Sequence, residues 1–148
     1  MPTVRVQTES FDLSTALAEL TTGRFNVGGV GSFVGLVRHE PGLVSLTVEH
    51  YPGMTEKSLM RIADTAMARF DLIDLTIIHR VGTMFPGDPI VLVLAASAHR
   101  APALAATAFL IDWLKTDAPF WKKERLAEGE HWIEARASDR AAKDSWGS

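Results

Sequence analysis

Apolar and polar residues alternate along this chain at two different periods, and each change of period separates a strand from a helix. Residues 3–8 alternate, with Val4 and Val6 between polar neighbours, which predicts a short strand. Asp12 or Ser14 can cap a helix that runs through Leu20 and stops at Gly23. The segment 27–38 is rich in β-branched residues but interrupted by Gly28, Gly29, Gly31 and Gly35. It reads as a strand whose glycines allow bulges or a close backbone approach. The same glycines are weak evidence for a phosphate loop, because no lysine-serine or lysine-threonine pair follows them. Residues 43–51 predict another strand, turned by Pro52-Gly53. From Thr55 the period lengthens, and Leu59, Ile62, Ala63, Ala66 and Phe70 recur on one helical face. Apolar strands at 73–81 and 90–98 flank a turn at Pro86-Gly87-Asp88. A second long helix is expected over 101–115, with Leu104, Ala108, Ile111 and Leu114 as its apolar stripe and Pro119 just past its end. Segments 120–125 and 131–136 predict a hairpin around Glu128-Gly129, and the polar tail from Ser138 predicts a short helix that frays.

Strands and helices mix here without a regular strand-helix-strand alternation. That favours an α+β fold with a mostly antiparallel sheet, two long helices and a C-terminal hairpin. No repeat or linker interrupts residues 1–148, so a single domain is expected.

Composition narrows the function classes. With 47% apolar residues and charges of both signs, a chain of 148 residues can bury a core without staples. A net charge of −3 argues against a general nucleic-acid binder while leaving room for a local basic pocket. The lack of cysteine removes disulfides, thiolate zinc sites and cysteine nucleophiles. Residues 1–7 lack the basic and then apolar pattern of a signal peptide, and no apolar run is long enough for a bilayer. A soluble cytoplasmic protein is the expectation.

The densest chemistry lies at 114–124, where Lys115, Lys122 and Lys123 stand beside Pro119, Phe120 and Trp121. Aromatic walls exclude water and strengthen the charges they enclose, as a pocket that binds or transforms anions requires. A helix end followed by an amphipathic strand with solvated lysines would use the same residues. Lys115 also complements a helix C-terminus, and only one of Lys122 and Lys123 can face inward from a strand. Arg38 follows a strand, where solvation alone would account for it. His99 and Arg100 stand where a strand meets a helix start, whose free amides attract anions. They suit a phosphate or carboxylate, or a local cap and ion pair. Glu49-His50 and His79-Arg80 read as strand pairs. No HExxH spacing gives a metal site and no G-x-S-x-G elbow supports a hydrolase triad, so any chemistry rests on lysine, arginine and histidine.

Several stretches, taken in order, resemble the catalytic (large) subunit of molybdopterin synthase. They are residues 46–57 with Glu49-His50-Tyr51-Pro52-Gly53-Met54-Thr55, Ile78-His79-Arg80-Val81-Gly82, Pro86-Gly87-Asp88, Ser97-Ala98-His99-Arg100, Leu114-Lys115-Thr116 with Pro119-Phe120-Trp121-Lys122-Lys123-Glu124, and 132–136. The resemblance spans 35–136 and implies an α/β-hammerhead-like fold. It also implies conversion of cyclic pyranopterin monophosphate into molybdopterin by insertion of two dithiolene sulfurs. Each sulfur would arrive as a thiocarboxylate on the C-terminal Gly-Gly of a small ubiquitin-like subunit, so a chain without cysteine suffices and no cofactor is required. By the same resemblance Lys115 and Lys122 are catalytic, Arg38, His99, Arg100, Lys123 and Glu124 contact substrate, and Arg136 is a further basic residue near the site. The expected assembly is a heterotetramer around a homodimer of large subunits, with the His99-Arg100 pair near the dimer contact and one pocket drawing on both chains. The apolar segment 91–95 and exposed aromatic residues are expected to supply contact surface. Departures are modest: Ala101-Pro102 replaces the small polar residues often found there, and the loop at Glu40-Pro41-Gly42 is short. Two other readings use the same residues: a non-catalytic module docking a ubiquitin-like tail, and a cysteine-free thioesterase-like enzyme acting on an anionic acyl carrier. The paired lysines separate catalysis from docking, which would not need them.

Overall fold

The computed structural model describes residues 1–133 and 137–147. In chain order its elements are β1 (Thr3–Gln7), α1 (Leu13–Thr21), β2 (Gly29–Leu36), β3 (Leu43–His50), α2 (Met54–Arg69), β4 (Leu72–Arg80), β5 (Gly82–Met84), β6 (Pro89–Ser97), α3 (Arg100–Leu114), β7 (Phe120–Leu126), β8 (Gly129–Ile133) and α4 (Ala137–Asp144). The mixed α+β class expected from the sequence is present, but the strands divide between two four-stranded sheets, β1-β4-β6-β2 and β5-β3-β7-β8. All pairings are antiparallel except β1 with β4.

β4 and β6 read as continuous apolar runs because helices cover both of their faces. Leu75, Ile77, Val91 and Val93 face α2 and α3, meeting Leu59, Ile62, Ala63, Leu110 and Leu114. The alternate residues Ile78, Leu92, Leu94 and Ala96 face Ala16 and Leu20 of α1. A third cluster, with Val37, Leu46, Val48, Val81, Met84 and Ile90, joins the two sheets, and Phe120 of β7 packs onto it.

Three expectations need correction. The buried side of α3 is Ala103, Ala106, Thr107, Phe109, Leu110 and Leu114, whereas Leu104 is 60% exposed and Ala108 also faces outward. The reason is the close approach of α3 to β2. A Cβ on Gly31 would run into Thr107 Oγ1 and the Ala103 carbonyl, so small residues, not the largest apolar ones, form the contact. The segment 91–95 supplies no contact surface, since β6 is the inner strand between β4 and β2 and is buried there. The tail, expected to be loose, is anchored by contacts to the end of α2 and to α3. Trp146 packs edge-on against Phe70 and Phe109, at 5.9 and 5.6 Å between ring centres, and its Nε1 donates to Asp112 Oδ2 at 2.6 Å. Lys143 pairs with Asp117 at 2.9 Å, so α4 is held over the C-terminal end of α3. The hairpin is realised by β7 and β8, and its expected part at 134–136 lies outside the described residues.

Candidate active site

Two elements deliver lysines to one place. α3 ends at Leu114, with the backbone N–H of Lys115 donating to the Ile111 carbonyl at 3.0 Å and Thr116 Oγ1 donating to the Asp112 carbonyl at 2.9 Å. The chain then turns through Pro119, whose carbonyl accepts from Thr55 Oγ1 at 3.1 Å, so the start of α2 fixes where β7 begins. Strand alternation does the rest. Phe120, Lys122 and Glu124 point into a cleft of about 680 Å³, while Trp121 and Lys123 lie on the other face of the sheet. There Trp121 stacks edge-on with Tyr51 at 4.4 Å, and the Lys123 ammonium sits 5.2 Å from the Trp132 ring and 3.6 Å from Glu130. The expectation of substrate contact for the whole Lys122-Lys123-Glu124 run is therefore divided by the pleat, and Lys123 does not line this cleft.

The cleft brings together Arg38, Lys115, Lys122 and Glu124 of the expected residues and adds Asp139 and Arg140 from α4. Its floor is apolar, formed by residues such as Leu46, Ile90, Leu114 and Phe120. Arg38 is held by Glu40, Nη2 to Oε1 at 2.8 Å, and Glu124 lies 3.6 Å from His131. Burial, reinforced by the neighbouring Lys115 charge and opposed by Asp139, pushes the Lys122 ammonium down to about 8. At neutral pH it is a cation that gives up its proton readily. Such a group serves equally to hold an anion and to move a proton.

His99 and Arg100 are elsewhere. They are exposed at the N-terminus of α3, and the 15 residues of that helix separate them from Lys115 by roughly 22 Å at 1.5 Å per residue. At this turn the His99 N–H makes a long hydrogen bond to Ser97 Oγ, at 3.4 Å. One chain alone therefore does not gather all the expected basic residues. Arg136 lies outside the described residues.

Sequence reasoning missed the contribution of α4 to the cleft and the environment of His79. The signal for the first was Trp146, an aromatic residue in an otherwise polar tail. For the second it was a histidine set directly after the apolar pair Ile77-Ile78 in a strand that is buried almost throughout.

Comparison with known proteins adds the following. The family model described as MoaE protein matches residues 6–117. A molybdopterin synthase catalytic subunit from Ralstonia nicotianae is 52% identical over 150 residues, covering 99% of this chain and 85% of that protein. The solved structure of molybdopterin cofactor biosynthesis protein E from Burkholderia multivorans is 49% identical with a TM-score of 0.87, covering 100% of this chain and 98% of the other. Molybdopterin synthase from Staphylococcus aureus is 30% identical with a TM-score of 0.80, covering 87% of this chain and 95% of the other.

Proposed function

The chain belongs to the MoaE protein family, and from that premise we propose that it is the sulfur-inserting subunit of a molybdopterin synthase, with Lys115 and Lys122 as its catalytic pair. Its substrate is cyclic pyranopterin monophosphate, and its sulfur donor is the C-terminal thiocarboxylate of a small ubiquitin-like subunit. In each transfer the carrier's C–S bond breaks as a C–S bond to the pterin side chain forms, and an oxygen displaced from the substrate or supplied by water ends on the carrier carbon as a carboxylate. The observation that carries this reading is the convergence of lysines from α3 and β7 on one cleft with an apolar floor. Both reactants are anionic, and a chain with a net charge of −3 can still meet them with a local group of cations.

Lys115, exposed at the helix end, meets the thiocarboxylate carbonyl as charge develops on its oxygen. Lys122, more deeply set, steadies the pterin and its intermediate. Arg38 contributes a phosphate-directed guanidinium at the rim. His99 and Arg100 act on the same substrate from the second large subunit of a central dimer, which supplies what one chain cannot. The carrier's flexible glycine tail enters beside Lys115, because glycine lets a backbone pass where side chains would block it. No helix among the described residues is long and apolar enough to cross a membrane, which fits a cytoplasmic setting for this chemistry.

Incubating the chain with thiocarboxylated carrier and the cyclic pterin tests the reading. Formation of the dithiolene product, with two carriers consumed per pterin, is expected. A chain that binds the carrier but leaves its thiocarboxylate intact is a docking module instead.

A further inference from the structure

Beneath the two lysines lies a side chain that this reading leaves without a task. His79 is 3% exposed near the end of β4, with its ring lying flat on Phe120 at 3.9 Å between centres. Its Nδ1 is 2.8 Å from the Arg80 carbonyl. A carbonyl only accepts, so Nδ1 carries the hydrogen and Nε2 of the neutral ring offers a lone pair. Burial keeps the ring neutral, against the hydrogen bond to Arg80 and together with the charges of Lys122, Lys115 and His50, by pushing its pKa down to about 3. The ring lines a second, small cavity of about 30 Å³, whose wall also includes Lys122, Lys115 and apolar side chains such as Leu114 and Val91. That volume suits one water molecule, provided that polar groups hold it. Here there are lysine donors and one imidazole acceptor.

We propose that His79 is a positioning residue for Lys122: one water in this cavity accepts a hydrogen bond from the Lys122 ammonium and donates one to Nε2 of His79. The arrangement holds the ammonium at the floor of the cleft and favours its charged form where burial disfavours it. Of the other charged groups around the pair, Lys115 from the end of α3 opposes that form, and His50 from β3 acts with the lysines to keep the His79 ring neutral. Asp139 from α4 supports the charged ammonium, and Arg38, Glu124 and Arg140 line the larger cleft. The proposal rests on the assignment of Lys122 to the site, but its test reads the lysine itself and needs no turnover.

Competitive acetylation of the full chain across pH, followed by mass spectrometry of the Lys122 peptide, gives the midpoint at which that amine loses its proton. The wild-type midpoint is expected near 8. His79→Phe keeps the ring and the burial but removes the acceptor, and should lower the midpoint by about one pH unit. His79→Gln can place its amide oxygen near the position of Nε2 and should restore most of that unit. An unchanged midpoint in folded His79→Phe, or an equal fall in both variants, overturns the proposal. Should the Phe variant not fold, ¹⁵N shifts of the wild-type histidine decide. The expected result is a protonated Nδ1 and a bare Nε2 whose shift follows the Lys122 titration. A protonated or unresponsive Nε2 overturns the idea. Failure of wild-type chain to transfer sulfur would count against the proposed function and would leave these midpoints as they are.

Discussion

The two ends of α3 present cations in opposite circumstances. At the C-terminal end, Lys115 stands over an apolar floor beside the partly buried Lys122, with residues of α4 along the rim. At the N-terminal end, His99 and Arg100 stand exposed, with free helix amides but outside that cleft. Burial makes the first end chemically distinctive, because removing water is what lowers the Lys122 pKa and strengthens every charge nearby. The second end has the residue types of an anion site without the enclosure. Under the proposed function, the exposed pair at the N-terminal end of α3 completes the enclosed cleft of a second chain.

The contrast breaks most easily at the enclosed end. Lys115→Ala or Lys122→Ala should lower the sulfur-transfer rate by about a hundredfold or more, the usual cost of a lost proton-transferring or charge-stabilising group. Single-turnover assays with saturating carrier would measure it. Near-native rates in both would remove the catalytic assignment.

At the exposed end the effect should be smaller and of another kind. Arg100→Ala should weaken pterin binding about thirtyfold, corresponding to about 2 kcal/mol for a lost charge-assisted hydrogen bond, while leaving the affinity for the carrier unchanged. Calorimetry with each ligand separates the two, and a loss confined to the carrier would reverse the assignment.

The pH dependence sharpens the comparison, because burial and the neighbouring Lys115 charge bring the Lys122 ammonium within reach of titration. Its pKa is lowered to about 8, so the cation is present below that value and is lost as pH rises through it. Pterin affinity should therefore fall by up to about tenfold per pH unit above 8, in line with the loss of one proton. In Lys122→Arg, which keeps its charge, the fall should move out of that range. An affinity in the wild type that stays flat to pH 9.5 contradicts the role given to the ammonium.

The smallest effect should come from the tail. Trp146→Ala removes the anchor of α4 and should cost about 2 kcal/mol of stability, through lost ring contacts and a lost hydrogen bond to Asp112. The rate should fall only a few-fold, since Asp139 and Arg140 sit at the rim. Thermal unfolding and steady-state assays together would show whether α4 does more.

Much of this arrangement was legible before the fold was known, and the failures share a cause. The buried face of α2 follows the periodicity of Leu59, Ile62, Ala63 and Ala66, because that helix is covered on one side only. α3 misleads because Ala103 and Thr107, fitted against Gly31, share its inner face with Phe109, Leu110 and Leu114, so a stripe drawn through Leu104 and Ala108 falls on the outward side. The pleat announced that only one of Lys122 and Lys123 could face the cleft. The choice followed from Phe120, which takes its place against His79 and the cluster joining the sheets. The interface expected at 91–95 failed because an apolar run in an inner strand is core on both faces. Trp146 marks the tail as one that packs, but where α4 sits depends on its long-range contacts with Phe70 and Phe109, which no local pattern supplies.

The shared pocket is tested most directly by mixing chains. Lys115→Ala and Arg100→Ala chains carrying different tags can be co-expressed, and the mixed dimers isolated by sequential affinity steps. If each pocket joins the lysines of one chain to the His99-Arg100 pair of the other, one of the two pockets in a mixed dimer is wholly wild type. Sulfur transfer should then recover to about half the wild-type rate, as the two-fold symmetry of a dimer dictates. With pterin held well below the concentration that saturates the wild type, verified mixed dimers whose rate is no more than the mean of the two parents would show that each pocket is built within a single chain.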